Sequence, residues 1–427
     1  MNVLEFPAPE FPSPAFPAQV VRLDSGLTVV HQAIEATPVA VADVWVRAGA
    51  IAEPAEWPGM AHFLEHMIFK GTERLPPGVF DQEIESRGGL TNAATSHDYA
   101  HFYITLEAAA LPQTLPYLAE LLLHAAIPAD EFVRERAVVL EEIRQADDDP
   151  NWLGFQALSA LTYQQHAYGR SVLGTPAQLN SRSPEEMRCF HQTHYQPENM
   201  TVVVTGGISL AETLELVQQS FSHFPPRSDC LPGESAQPPV IKGMQRQVLS
   251  LPRLEQGRLL MAWLGPGIDR LSDACGLDLL TVLLCEGRSS RLVRELREER
   301  QWVQAISGSF SLQKGCSLLS LTIWLETHQV ERVEATVRDR LTELATQPIS
   351  PAELARCQRL LCNDYAFSTE TPGQLAGLYG YYGTIAQSHL AVQYPRFIQA
   401  YTPESLQQLA ASYLSAERYA AVELRPD

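Results

Sequence analysis

Apolar positions along this chain recur with two periods. Residues 27–30 (Leu-Thr-Val-Val) and 41–46 (Val-Ala-Asp-Val-Trp-Val) are β-branched and aliphatic runs, and each predicts a strand. From Gly59, just after Pro58, apolar residues return at helical spacing through Phe69, which predicts a helix that Gly71 ends. A second helix is expected over 112–126. A third begins after Pro128 and runs to about Asp147, with Asp130 and Glu131 at its positive end. Residues 201–205 predict another strand, closed by Gly206-Gly207.

The stretch 224–245 carries Pro225, Pro226, Pro232, Pro238 and Pro239 and reads as a linker. Beyond it the first half recurs. Residues 127–134 (IPADEFVR) resemble 349–356 (ISPAELAR) at an offset of 222. Ser183-Pro184-Glu185 and Val202-Val203-Val204 match Thr402-Pro403-Glu404 and Ala421-Val422-Glu423 at an offset of 219. Two matches at nearly one offset predict a duplicated domain of roughly 200 residues. Each copy mixes helices and strands without strict βαβ alternation, so the expected class is α+β. The expected division is an N-terminal extension over 1–19, a first domain over 20–222, a Pro-rich linker over 223–245 and a second domain over 246–427.

The candidate chemistry lies on the first predicted helix. In His62-Phe63-Leu64-Glu65-His66 two histidines four apart share a helix face, with Glu65 beside them. This is how a protein holds a divalent metal with a carboxylate in reach of an attacking water. The order His-x-x-Glu-His inverts the His-Glu-x-x-His of many zinc proteases. The second copy carries Cys275-Gly276-Leu277-Asp278-Leu279-Leu280 at the corresponding place, without the ligands. A catalytic zinc takes three protein ligands, so a third must come from elsewhere. Glu142 is the best candidate, with Glu135 two helical turns earlier on the same face to orient a ligand or the water. Glu141 points about 100° away, toward solvent. On spacing alone, the same acids equally fit a solvated helix face. His191 and His194 are expected at the surface or in packing, and His97 and His101 on one face of a strand, with no ligand signal. No Gly-x-Ser-x-Gly elbow, Walker A or Gly-x-Gly-x-x-Gly pattern is present.

Composition narrows the setting. The 427 residues hold 45% hydrophobic and 19% charged side chains, a globular balance. Fifty acidic against 31 basic residues give a net charge of −19, which repels nucleic acid and anionic membranes. The seven cysteines are odd in number and form no Cys-x-x-Cys pair, as expected of reduced thiols in the cytoplasm. No apolar run reaches membrane-spanning length, and residues 1–19 lack the pattern of a signal peptide.

With these residues in view, the chain resembles the M16 (pitrilysin-like, inverzincin) metallopeptidases from about residue 20 to the end. It looks most similar to the two-domain subfamily of mitochondrial processing peptidases and their bacterial relatives. The most specific part is HFLEHMIFKGT, residues 62–72. The resemblance implies two α/β-sandwich domains related to the ferredoxin-like type, and one Zn2+ per chain held by His62, His66 and Glu142. The family's third ligand falls 76 residues after the second histidine, which is where Glu142 stands. Glu65 is then the general base, and Glu135 the family's functional glutamate seven residues before the last ligand. Residues 88–95 resemble the family's edge strand, to which a substrate peptide adds; Asn92 and Ala93 would lie at the scissile bond, with Thr95 also in contact. Family sites are completed from a second domain by an Arg and a Tyr seven residues apart. Here Arg297 fits, but Gln304 stands at the Tyr position. The glycine-rich loop of noncatalytic processing-peptidase subunits is absent. The resemblance therefore implies a zinc endopeptidase for short or unfolded peptides, working in a closed dimer chamber. It implies a second M16 subunit supplying the Arg/Tyr pair, with a homodimer as the other arrangement. The reading of a different class is a scaffold subunit with a vestigial site.

Overall fold

The computed structural model describes residues 16–231, 233, 239–252 and 254–426. Residues 1–15 of the expected extension, and 232 and 234–238 of the Pro-rich stretch, lie outside the described residues.

The first half runs β1 (Gln19–Arg22), β2 (Thr28–Ala33), β3 (Val39–Val46), α1 (Met60–Ile68), α2 (Val79–Glu85), β4 (Leu90–Thr95), β5 (Ala100–Glu107), α3 (Leu111–His124), α4 (Ala129–Asp147), α5 (Pro150–Tyr163), α6 (Pro176–Asn180), α7 (Pro184–His194), β6 (Met200–Gly206) and α8 (Leu210–Ser220). The second runs β7 (Gln245–Leu251), β8 (Gly257–Pro266), α9 (Leu271–Cys285), a π-helical turn (Val293–Glu299), β9 (Val303–Leu312), β10 (Cys316–Leu325), α10 (Val330–Thr346), α11 (Pro351–Phe367), α12 (Pro372–Ile385), α13 (Tyr394–Ala400), α14 (Pro403–Tyr413) and β11 (Ala420–Pro426).

Helices and sheets mix without βαβ regularity, so the class is α+β. The first sheet has the order β1-β2-β6-β3-β5-β4 and the second β7-β11-β8-β10-β9. With β1 set aside, the two orders match strand for strand. β2 and β6 are parallel, as are β7 and β11, and the other pairings are antiparallel. β4 and β9 are the corresponding edges. The duplication read from two short matches is thus written into the topology.

The halves exchange a helix. α5 begins at Pro150 and α12 at Pro372, the same offset of 222. α5 lies on β7, β8 and β11 of the second sheet, and α12 lies on β3 and β6 of the first. The fit of α12 is close. A Cβ on Gly380 would stand 2.0 Å from the Trp45 indole nitrogen. Thr205 Oγ1 donates to the Pro372 carbonyl at 2.7 Å, and Tyr379 OH donates to Gln32 at 2.6 Å. The first sheet is therefore apolar on both faces. Ala42, Val44, Phe102 and Ile104 are buried with Phe63, Leu64 and Met67 of α1, while Val41, Trp45 and Val203 are buried with Ala376 and Tyr379 of α12.

Several boundaries moved: β3 starts two residues early, at Val39, and β6 runs from Met200 to Gly206. The helix expected over 112–126 ends at His124, because Ala125 turns to ψ 120° and Ile127 takes a positive φ of 48°. The strand expected over 27–30 extends to Ala33, since β6 pairs with it as far as Gly206. A further expectation is corrected. His97 does not share a strand face with His101: it sits in the turn between β4 and β5, where Ser96 N–H donates to the Tyr99 carbonyl at 2.7 Å.

Candidate metal centre

α1 carries the histidines, and its start is fixed from two directions. Gly59 precedes it at φ 89°, a left-handed conformation, and a Cβ there would lie 2.7 Å from the Leu173 carbonyl oxygen. Helix starts leave N–H groups without intrahelical partners. Here the buried Glu53 carboxylate accepts the N–H of Gly59 at 3.1 Å and of Ala61 at 2.8 Å. Burial pushes the Glu53 pKa up to about 8, opposed by the hydrogen bonds from these N–H groups at the helix's positive end. Phe63 packs on Phe132 of α4 with ring centres 4.6 Å apart and planes tilted by 38°, which sets α1 against α4.

That packing brings the sequence candidates together. Glu142 Oε2 stands 3.8 Å from His62 Nε2 and 3.4 Å from His66 Nε2. One ligand atom from each of the three residues lies within 4.8 Å of the others, and no second such group occurs among the described residues. Zinc–ligand bonds of about 2.0–2.2 Å imply tetrahedral ligand separations of about 3.3–3.5 Å. Two imidazoles and a carboxylate at these spacings fit a divalent zinc with small movements. Burial, and then the neighbouring His66, push the His62 pKa down to about 4, so its imidazole is neutral, the form that binds a metal.

Glu135, one helical face with Glu142, supports the pair from behind. Its Oε1 meets His66 Nδ1 at 3.0 Å, and its Oε2 takes a 2.7 Å ion pair from Lys70 Nζ. The bond to Nδ1 leaves His66 Nε2 free to face the metal position. Glu141 is exposed and pairs with Arg144, away from the site. Glu65 points from α1 toward β4. Its Oε2 is buried without a hydrogen-bond partner. Burial raises its pKa, opposed by the nearby Thr95 hydroxyl and the imidazoles of His66 and His101. A carboxylate so placed is poised to hold a proton during reaction.

Sequence reasoning missed Lys70 and Glu53. Lys70 stands four residues after His66, in the turn just past the end of α1, and that spacing was the available signal. Glu53 is an acid shortly before a glycine-started helix.

The comparisons follow this geometry. Residues 28–176 match the family description "Insulinase (Peptidase family M16)", and residues 181–361 match "Peptidase M16 inactive domain". An uncharacterized zinc protease of Mycobacterium leprae is 31% identical over 337 residues, covering 78% of this chain and 74% of that protein. The chain belongs to peptidase family M16. Another relative, the zinc protease PqqE of Helicobacter pylori, is 27% identical and covers 95% of this chain and 92% of its own length. A solved protease from Helicobacter pylori superposes with a TM-score of 0.88 at 25% identity, over 96% of this chain and 99% of that one.

The remaining candidates of this M16 chain fall in two places. Asn92, Ala93 and Thr95 lie on the edge strand β4, with Ala93 and Thr95 turned toward the α1 side. Arg297 does not join the metal residues: it sits on the π-helical turn of the second half, bonded to Glu298. Gln304 is exposed on the edge strand β9. His191 is buried and bonds the Leu122 carbonyl at 2.7 Å, and His194 packs on Phe190, so both serve packing.

Proposed function

We propose that this chain is a zinc-dependent endopeptidase for short or unfolded peptides, and the zinc-bearing subunit of an M16 dimer. The observation that carries this is the convergence of His62, His66 and Glu142, with the Glu65 carboxyl beside them and its buried Oε2 without a hydrogen-bond partner. Zn2+, when bound, supplies Lewis acidity toward water and the scissile carbonyl. Glu65 takes the proton of the attacking water and delivers it to the departing amine. Glu135 and Lys70 hold the His66 ring in place and fix its tautomer. The free edge of β4 accepts the peptide as an added strand. Affinity then comes mainly from main-chain hydrogen bonds at Asn92 and Ala93, and sequence preference is loose.

A heterodimer is the preferred assembly, because Gln304 lacks the hydroxyl that the family resemblance places there, and a partner M16 subunit would bring the Arg/Tyr pair. Seven cysteines without a disulfide support a reducing, cytoplasmic setting. No helix among the described residues is long and apolar enough to cross a membrane.

The test is Glu65→Gln. It should bind about one zinc per chain, like the wild type, and lose peptide hydrolysis in an assay that includes the partner subunit. Wild-type cleavage by this variant would refute the general-base role. Wild-type chain that binds no zinc would point instead to a scaffold subunit.

A further inference from the structure

The face of the first sheet turned away from the metal carries an unusual row of rings beside the peptide edge. Phe102, Ile104 and Ala93 pack on the α1 side, whereas Trp45 packs toward α12. Strand alternation therefore places Asp43, His101, Tyr103 and Ala94 on the α12 side. There the Trp45 and His101 rings stack at 4.2 Å and 26°, and His101 and Tyr103 stack at 5.8 Å and 24°. Tyr99 closes the row edge-on to His101 at 5.8 Å. Asp43, its side chain only 4% exposed, bonds His101 Nδ1 at 3.0 Å and locks the ring. A buried carboxylate is expensive unless paired, and here its pairing serves to hold one imidazole flat against its neighbours.

Opposite His101 on the edge strand stands Ala94, exposed, and opposite Tyr103 stands Asn92. Tyr103 and His101 are themselves partly open to solvent. Ala94 makes a low step between the free edge and the rings. A peptide strand added to β4 would lie two strand spacings, about 10 Å, from β5. Every second side chain of that peptide points to this face. A side chain leaning over the Ala94 methyl meets the His101 and Tyr103 rings within the roughly 4.5–7 Å of aromatic contact, provided it is long and flat.

We propose that this row is a side-chain subsite, and that it selects peptides with an aromatic residue at the position leaning over Ala94. The proposal rests on the peptidase reading above. The Asp43 carboxyl lies buried beneath His101, so what the row presents to a peptide is ring faces, which favours Phe, Tyr or Trp over a small side chain.

The test uses the zinc-loaded chain with its partner subunit and a mixed peptide library, with cleavage sites mapped by mass spectrometry. At one substrate position the wild type should favour aromatic residues over Ala about tenfold in kcat/KM. That ratio should fall to within about twofold in Tyr103→Ala and in Ala94→Trp, which blocks the step, and should persist in Tyr103→Phe. A second readout is fluorescence anisotropy of Phe- and Ala-bearing peptides on the Glu65→Gln chain, where the Kd ratio should change in the same way. Ratios unchanged in both blocking variants would overturn the subsite, as would cleavage with no aromatic preference at any position. If zinc-loaded wild type cut no peptide at all, the peptidase reading itself would fail.

Discussion

Replacing Glu135 by Gln tests how the metal centre is held. The carboxylate uses both oxygens: Oε1 faces His66 Nδ1 at 3.0 Å and Oε2 faces Lys70 Nζ at 2.7 Å. An amide of the same shape cannot serve both. With its oxygen toward His66, its NH2 group confronts the Lys70 ammonium, donor against donor. With its NH2 toward His66, Nδ1 must accept, the proton moves to Nε2, and the atom facing Glu142 is blocked. Loss of such outer hydrogen bonds lowers metal affinity about 10–100-fold. That corresponds to about 1.4–2.8 kcal/mol at tenfold per 1.4 kcal/mol. The conflict has a second party, so Lys70→Met added to Glu135→Gln should recover part of the loss by letting the amide keep its oxygen toward His66. The assay is zinc competition against a chromophoric chelator at fixed pH. The reasoning is refuted if Glu135→Gln binds zinc as tightly as the wild type, or if the double variant is as weak as the sum of two independent losses.

Two further outcomes concern stability. Burial raises the Asp278 carboxyl to about 6, opposed by the hydrogen bond from Tyr394 and reinforced by Asp364. A raised acid pKa gives stability that is complete below the ordinary value of 3.8 and is lost as pH climbs through about 6. Asp278→Asn should therefore gain on the wild type between pH 4 and pH 8, by up to ~3 kcal/mol for a shift of about two units, read as the difference in calorimetric melting curves; parallel curves would contradict it. Gly380→Ala drives a methyl toward Trp45 and should destabilise by about 1–3 kcal/mol in denaturant titration, whereas Gly377→Ala on the same helix, where an added Cβ meets nothing within 4 Å, should stay near neutral. Equal effects at the two glycines would mean that α12 does not seat on the first sheet as described.

The histidine pair was legible because its information is local: histidines four apart share a face on whatever helix carries them. Glu142 was not, because its spacing equally fits a solvated helix face; it was reached through the family's 76-residue interval, and the docking of α1 on α4 is what brings it beside the imidazoles. The duplication was legible for a similar reason: short matches at one offset need no knowledge of contacts. What escaped were features set by distant chain segments. Nothing near Pro150 or Pro372 announces that α5 and α12 cross to the other half. α9 is apolar almost all round and carries no periodic signal. His97 was misplaced because alternation was carried through Ser96-His97-Asp98, a polar cluster that forms the hairpin turn. Lys70 was overlooked although its spacing from His66 is the one that found the histidine pair.

The crossing of α5 and α12 has a consequence for how such a chain can be cut or built. Severed after α8, the two fragments should stay clasped, each gripping an arm of the other. Produced alone, either fragment would show a bare sheet to solvent and trail a greasy helix with nowhere to go, and would clump rather than fold. By the same logic, a half-length ancestor could have closed its core only by embracing a second copy of itself, so gene fusion here would have joined two molecules that already depended on each other.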